Sequence, residues 1–106
     1  MGALGESIAA TFLTWHGLDV VARNVEVDRV GTTKGEVDLI AIDHGRRVVV
    51  EVRTVTTGGD PIDAVDHAKR RRVRALAGVI RGSRVDFVGV GLGSEGVVVH
   101  WVPGCG

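Results

Sequence analysis

The sequence predicts an α/β or α+β domain built on one mixed five-stranded sheet with helices packed against it. Three observations point there: a helical apolar spacing at the start, a paired strand signal around His44-Gly45, and two Val-rich runs that close the chain after a second helical pattern. Residues 3–17 read as a helix because Leu4, Ile8, Phe12 and Trp15 recur at helical spacing and Gly17 supplies a stop. DVVARNVEVDRV, residues 19–30, carries enough Val for a strand, with an irregularity expected at Asn24. Strands at 36–43 and 46–55 follow, joined by His44-Gly45, whose glycine suits a tight hairpin turn. Pro61 fits the first turn of a second helix with Ile62, Val65, Val73, Leu76, Ala77 and Ile80 on its apolar face and Arg70, Arg74 and Arg81 on the other. RVDFVGVGL and GVVVHWV, separated by the turn-like GSEG, complete the order α-β-β-β-α-β-β.

A chain of 106 residues with 44% hydrophobic content suits one domain, residues 1–106, with one modest core. TVTTGGDP at 54–61 is short enough to be a loop within it. There is no basic leader with an apolar run and no apolar stretch of membrane-spanning length, so secretion and insertion are not expected. The single cysteine, Cys105, allows no internal disulfide and makes a reducing, cytoplasmic setting the default. The four histidines, 16, 44, 67 and 100, lack zinc-like spacing, and Phe12, Trp15, Phe87 and Trp101 read as core. Thirteen basic and thirteen acidic residues cancel, which argues against a protein that simply coats nucleic acid. The average hides a segregation: Lys69, Arg70, Arg71, Arg72, Arg74, Arg81 and Arg84 lie between Asp66 and Asp86 with no acid among them.

The hairpin GEVDLIAIDHGRRVVVEVR concentrates acids. With a two-residue turn, facing residues have numbers that sum to 89, so Asp38 is expected opposite Glu51 and Glu36 opposite Arg53. Alternation places Val37, Leu39, Ala41, Val48, Val50 and Val52 on one apolar face and the acids on the other. Two carboxylates about 5 Å apart repel by roughly 3 kcal/mol at an effective dielectric of about 20. A shared proton or a cation would relieve this, and a solvated face would screen it. A hard divalent ion is the simpler answer, because Mg²⁺ takes oxygen ligands, keeps several waters and uses one or two carboxylates. Asp38 and Glu51 would be its ligands, with the Val52 carbonyl as an extra one. Ile40, Ile42 and Val49 farther along the same face suggest that the acids border a buried region.

Asp38 followed by Glu51-Val52-Arg53 resembles the PD-(D/E)XK nuclease motif, in which an acid on one strand and an acid-x-Lys on the next bind Mg²⁺. More closely, the chain resembles the YraN family of predicted endonucleases, related in fold to archaeal Holliday junction resolvases. The likeness rests on GESIAATFLTWHGLDVVARN, GEVDLIA, VEVRT, GGDPIDAVDHAKRRRVRALA and RVDFVGV, nearly the whole chain. It implies a restriction-endonuclease-like core and a Mg²⁺- or Mn²⁺-dependent endodeoxyribonuclease. Glu6 would be a helix-borne acid approaching the site, Asp38 and Glu51 the metal ligands, and Glu36 a flanking acid. Glu6 could equally be a favourable charge in a helix's first turn, and Glu36 a partner of Arg53. Arg53 stands where the motif has Lys. An arginine stays protonated, so it can bind a phosphate but not readily act as a base, which leaves open a DNA-binding module with weakened chemistry.

The basic helix would supply phosphate contacts through Lys69, Arg70, Arg71 and Arg74, although the same residues would also suit a solvated face. With no aromatic interleaving for single-strand stacking, recognition of DNA, branched DNA included, would rest on backbone and shape. A homodimer would suit a protein this small acting on a two-stranded junction. A domain whose acids are merely exposed remains the non-enzymatic alternative.

Overall fold

The computed structural model describes residues 2–28, 34–56 and 84–104. Helix α1 (Gly2–Trp15) precedes strands β1 (Asp19–Asp28), β2 (Lys34–Asp43), β3 (Arg46–Val55), β4 (Arg84–Gly93) and β5 (Gly96–Val102). They form one five-stranded mixed sheet in the order β1-β2-β3-β4-β5, antiparallel except for the parallel β3–β4 pair. Among the described residues α1 is the one helix. The helix expected from Pro61, with Lys69, Arg70, Arg71 and Arg74, lies outside the described residues.

The end of α1 follows from Gly17. Its φ of 92° suits a residue without a Cβ. The Gly17 N–H donates to Thr14 O at 3.1 Å and the Leu18 N–H to Leu13 O at 3.0 Å, the paired bonds of a Schellman cap. Leu13 and Leu18 are both buried in the same core cluster, the apolar contact that accompanies such a cap.

The expected apolar face of this helix needs correction. Leu4 is 57% exposed and Trp15 81%, whereas Gly5, Ala9, Ala10 and Leu13 are buried. The spacing is that of the expected face moved on by one residue, which turns the buried stripe by about 100°. Close approach is the reason: a Cβ on Gly5 would overlap Thr54 Oγ1 of β3, so Gly5, Ala9 and Ala10 face the sheet with Leu13, while Leu4 and Trp15 are displaced outward. Trp15 accordingly stands beside an apolar groove of about 380 Å³ that α1 shares with Val97 and Val99 of β5. Phe12 and Trp101 do pack together, edge to face at 6.2 Å, and Phe87 is fully buried.

His44 and Gly45 have φ values of 49° and 81°, and two positive central residues make the primed hairpin turn that matches strand twist. The register follows from it: Asp43 pairs with Arg46, and the ladder runs through Ala41 with Val48 to Leu39 with Val50. Val37, Leu39, Ala41, Val48, Val50 and Val52 are all buried. Leu39, Ala41, Val48, Val50 and Val52 join Ala9, Ala10, Leu13, Val88 and Val90 in the core beneath α1. Val49, Val85 and Phe87, which alternation sends to the other face, are buried as well. The central strands thus carry nearly continuous apolar runs.

Candidate functional site

Beyond Leu39 and Val50 the β2–β3 ladder stops. The expected partners Asp38 with Glu51 and Glu36 with Arg53 are not paired positions, because each strand is drawn to another neighbour. β2 continues along β1, with Val37 against Val25 and Glu36 against Glu26. β3 continues along β4, with Glu51 against Phe87 and Arg53 against Gly89. The strands therefore fork, and Asp38 sits at the fork. Its Oδ2 accepts a hydrogen bond from the Val52 N–H at 2.7 Å, so a carboxylate replaces the ladder partner that the fork removes.

The acids expected at the site are distributed around this point. Glu51 is 5% exposed, Asp38 is half-buried, and Glu36 and Arg53 are exposed. Glu6 comes in from α1. Its carboxyl binds a proton more tightly than usual, first because burial disfavours the charge and then because Asp38 and Glu36 repel it. A hydrogen bond from Asn24 and the charge of Arg23 act in the opposite direction. Glu6, Glu36 and Asp38 thus lie within electrostatic reach of one another, with Glu51 next to Val52 on the facing branch.

The donor set consists of carboxylate oxygens, with no soft ligand, and fits a hard divalent ion. Among the described residues no three His, Cys, Asp or Glu side chains make a ready-made cage. A half-shell completed by water and substrate is the form that a Mg²⁺ site commonly takes.

A second carboxylate cluster was not foreseen. Asp86, near the start of β4, is fully buried and accepts four hydrogen bonds. Arg84 Nε and Nη2 grip its two oxygens, each at 2.9 Å. Trp101 Nε1 and the Gly104 N–H add one bond each, again at 2.9 Å. Arg84 Nη1 also reaches Asp43 Oδ2 at 2.8 Å, and His44 Nδ1 lies 2.7 Å from Asp43 Oδ1. These bonds hold the Asp43 carboxyl below the usual range, chiefly through Arg84 and then His44. Arg84 is in turn held more firmly protonated by its bond to Asp86. Arg84 therefore belongs to this buried network and not to a free basic surface. The signal was present in RVDFVGV: an Arg and an Asp two apart in a strand share a face, and an acid inside an apolar run must find partners.

The chain is thus a mixed α/β protein with acids gathered at a strand fork. It belongs to the uncharacterised protein family UPF0102, whose model matches residues 5–90, and this is the YraN family that the motifs resemble. It is 39% identical to a UPF0102 protein of Solibacter usitatus over 105 residues, 96% of this chain and 77% of the relative. A UPF0102 protein of Symbiobacterium thermophilum is 46% identical over 79 residues, covering 73% of this chain and 63% of the relative. One of Mycobacterium tuberculosis is 36% identical over 107 residues, 90% of this chain and 80% of the relative. The matched region contains Glu6, Glu36, Asp38, Glu51, Arg53 and Asp86.

Proposed function

We propose that this chain is a metal-dependent endodeoxyribonuclease with a restriction-endonuclease-like core, selective for DNA structure and not for base sequence. The observation that carries the reading is the Asp38 carboxylate held at the fork by the Val52 N–H, one residue from the buried Glu51. Asp38 and Glu51, with the Val52 carbonyl as a further ligand, would hold Mg²⁺ or Mn²⁺. When bound, such an ion activates water and stabilises charge on the leaving oxygen of a phosphodiester. The Val52 bond fixes the orientation of Asp38, a preorganisation that metal ligands commonly need. Glu6, with its raised proton affinity, suits a proton carrier beside the attacking water. Glu36 adds negative charge that favours a cation. Arg53 would bind the scissile phosphate as a permanent cation with a planar fork of donors.

Lys69, Arg70, Arg71 and Arg74 would hold the DNA backbone. Changing Arg70, Arg71 and Arg74 to Gln should flatten the salt dependence of binding by slightly under one log-log unit for each phosphate that is no longer neutralised. Action on a branched substrate would suit a homodimer, which presents two such centres. Arg53 in place of Lys favours a second reading, a DNA-binding module of the same fold with weakened chemistry. Cleavage of linear, flapped and four-way DNA with Mn²⁺ separates the two, with Asp38→Ala as the control. Metal-dependent products that vanish in the control support the enzyme. Binding without products supports the module.

A further inference from the structure

Asn24 is the one residue within a strand, apart from glycine and among the described residues, whose backbone is left-handed, with φ of 51°. Asn tolerates this conformation better than most residues, but a strand interior offers no turn to require it. Its neighbours are regular: Arg23 pairs with Leu39 and Val25 with Val37. Residue 24 therefore occupies the register position opposite Asp38. Paired residues share a face, so Arg23 and Val25 lie on the face of Leu39 and Val37, beneath α1. A regular residue 24 would project away from the helix. The Asn24 side chain nevertheless lies close enough to Glu6, which is carried by α1, to favour its charged form as a hydrogen-bond donor would. A left-handed residue breaks the alternation and re-aims its side chain, and such strain is typically kept where the aim matters.

We infer that Asn24 is a positioning residue of the acidic centre: its left-handed backbone turns its side-chain amide from the sheet onto Glu6, and so holds that carboxylate beside Asp38. Its functional consequence rests on the nuclease reading, whereas the contact itself does not. An amide suits the task because it donates to a carboxylate without adding charge. A lysine here would neutralise the centre, and an aspartate would add another acid beside Glu6, Glu36 and Asp38. The neighbouring Arg23, whose Nη1 lies 3.4 Å from Ser7 Oγ, ties the same part of β1 to α1.

Two substitutions separate aim from strain. Asn24→Gly keeps the left-handed backbone at no steric cost and removes the amide. It should melt no lower than the parent, bind four-way DNA with an unchanged Kd, and lose about tenfold in single-turnover cleavage at saturating Mn²⁺. Asn24→Asp should lose more, because it replaces the donor by a charge that repels Glu6. A merely structural Asn24 would instead change stability or DNA affinity along with rate. A metal-free measurement tests the contact: the side-chain amide ¹H–¹⁵N resonances of Asn24 should move in Glu6→Gln. Unmoved resonances, or an Asn24→Gly variant that cleaves as fast as an active parent, would overturn the inference. A parent that does not cleave would instead sink the nuclease reading, and the amide resonances would then decide the contact alone.

Discussion

The sheet holds carboxylates in two places, and they are treated in opposite ways. At the Arg84 end, Asp86 is wholly buried but fully satisfied: an arginine fork, an indole N–H and a backbone N–H supply four donors. At the fork between β2 and β3, Asp38 has its bond from Val52, yet Glu6 and Glu36 crowd it and Glu36 also faces Glu26 across β1. The first arrangement is complete as it stands. The second gathers acids, and under the proposed reading a cation would relieve their repulsion. On that reading, burial alone does not separate a structural acid from a functional one; the balance of donors and charge around it does.

The comparison implies a division of effects, and the largest should fall on activity. Asp38→Ala should reduce Mn²⁺-dependent cleavage by at least about a thousandfold, about 4 kcal/mol of barrier, in a protein that still melts cooperatively. Retained cleavage would move the metal centre elsewhere. Next comes Asp86→Asn, which removes the charge facing Arg84 while keeping the shape. Arg84 keeps its bond to Asp43 but loses the charge it grips through Nε and Nη2, and breaking a buried ion pair costs up to about 3 kcal/mol, so chemical denaturation should show a loss of at most that size. The metal response should be untouched. A neutral result would mean that the network contributes little to folding.

A smaller effect is expected at Arg53, the position where this chain departs from the nuclease motif. Arg53→Lys should leave folding and DNA affinity nearly unchanged and raise cleavage by roughly tenfold, equivalent to about 1.4 kcal/mol. A slower lysine variant with equal binding would show that the site is built around the guanidinium. The smallest effect concerns Asp43. Its folded pKa is depressed by Arg84 and His44, so it contributes stability that is present above the ordinary carboxylate value of about 4 and is lost as pH falls through the depressed one. Asp43→Asn should lower the melting temperature slightly at neutral pH and make the acid-side decline shallower. An unchanged pH profile would mean that the Arg84–Asp43 pair adds nothing to stability.

Much of this was legible in the sequence, and the exceptions share a cause. His44-Gly45 fixed the hairpin register from Asp43–Arg46 to Leu39–Val50, and alternation then placed the buried valines correctly. Extending that register to Asp38 and Glu51 failed because ladder arithmetic assumes that two strands stay together. Here each strand has a stronger claim from its other neighbour. The face of α1 was misplaced for a related reason: periodicity favours large side chains, but the sheet admits only small ones at Gly5, Ala9 and Ala10. The Asp86 network was hidden because Arg84, two residues away, reads as part of the basic segment, and the other donors, Trp101 and Gly104, follow 15 and 18 residues later. Asn24 did leave a trace, as a polar residue out of place in a Val-rich strand, but only the backbone shows its left-handed turn.

The contrast between the two acid sites can be tested in one titration. Melting temperatures of the parent, Asp38→Asn and Asp86→Asn would be followed from metal-free buffer to millimolar Mn²⁺. An ion that binds the native state alone adds about 2.7 kcal/mol at a hundredfold excess over Kd. For a domain of this size each kcal/mol is worth about 4–8 °C, so the response is easily resolved. The parent should rise with Mn²⁺. Asp86→Asn should start several degrees lower and rise in parallel, because its acid is structural. Asp38→Asn should start at or slightly above the parent, having shed repulsion while its amide oxygen still accepts from Val52, and should then stay flat. A parent that does not respond to Mn²⁺, or an Asp38→Asn variant that responds as the parent does, would contradict the claim that the acids at the fork form a metal centre.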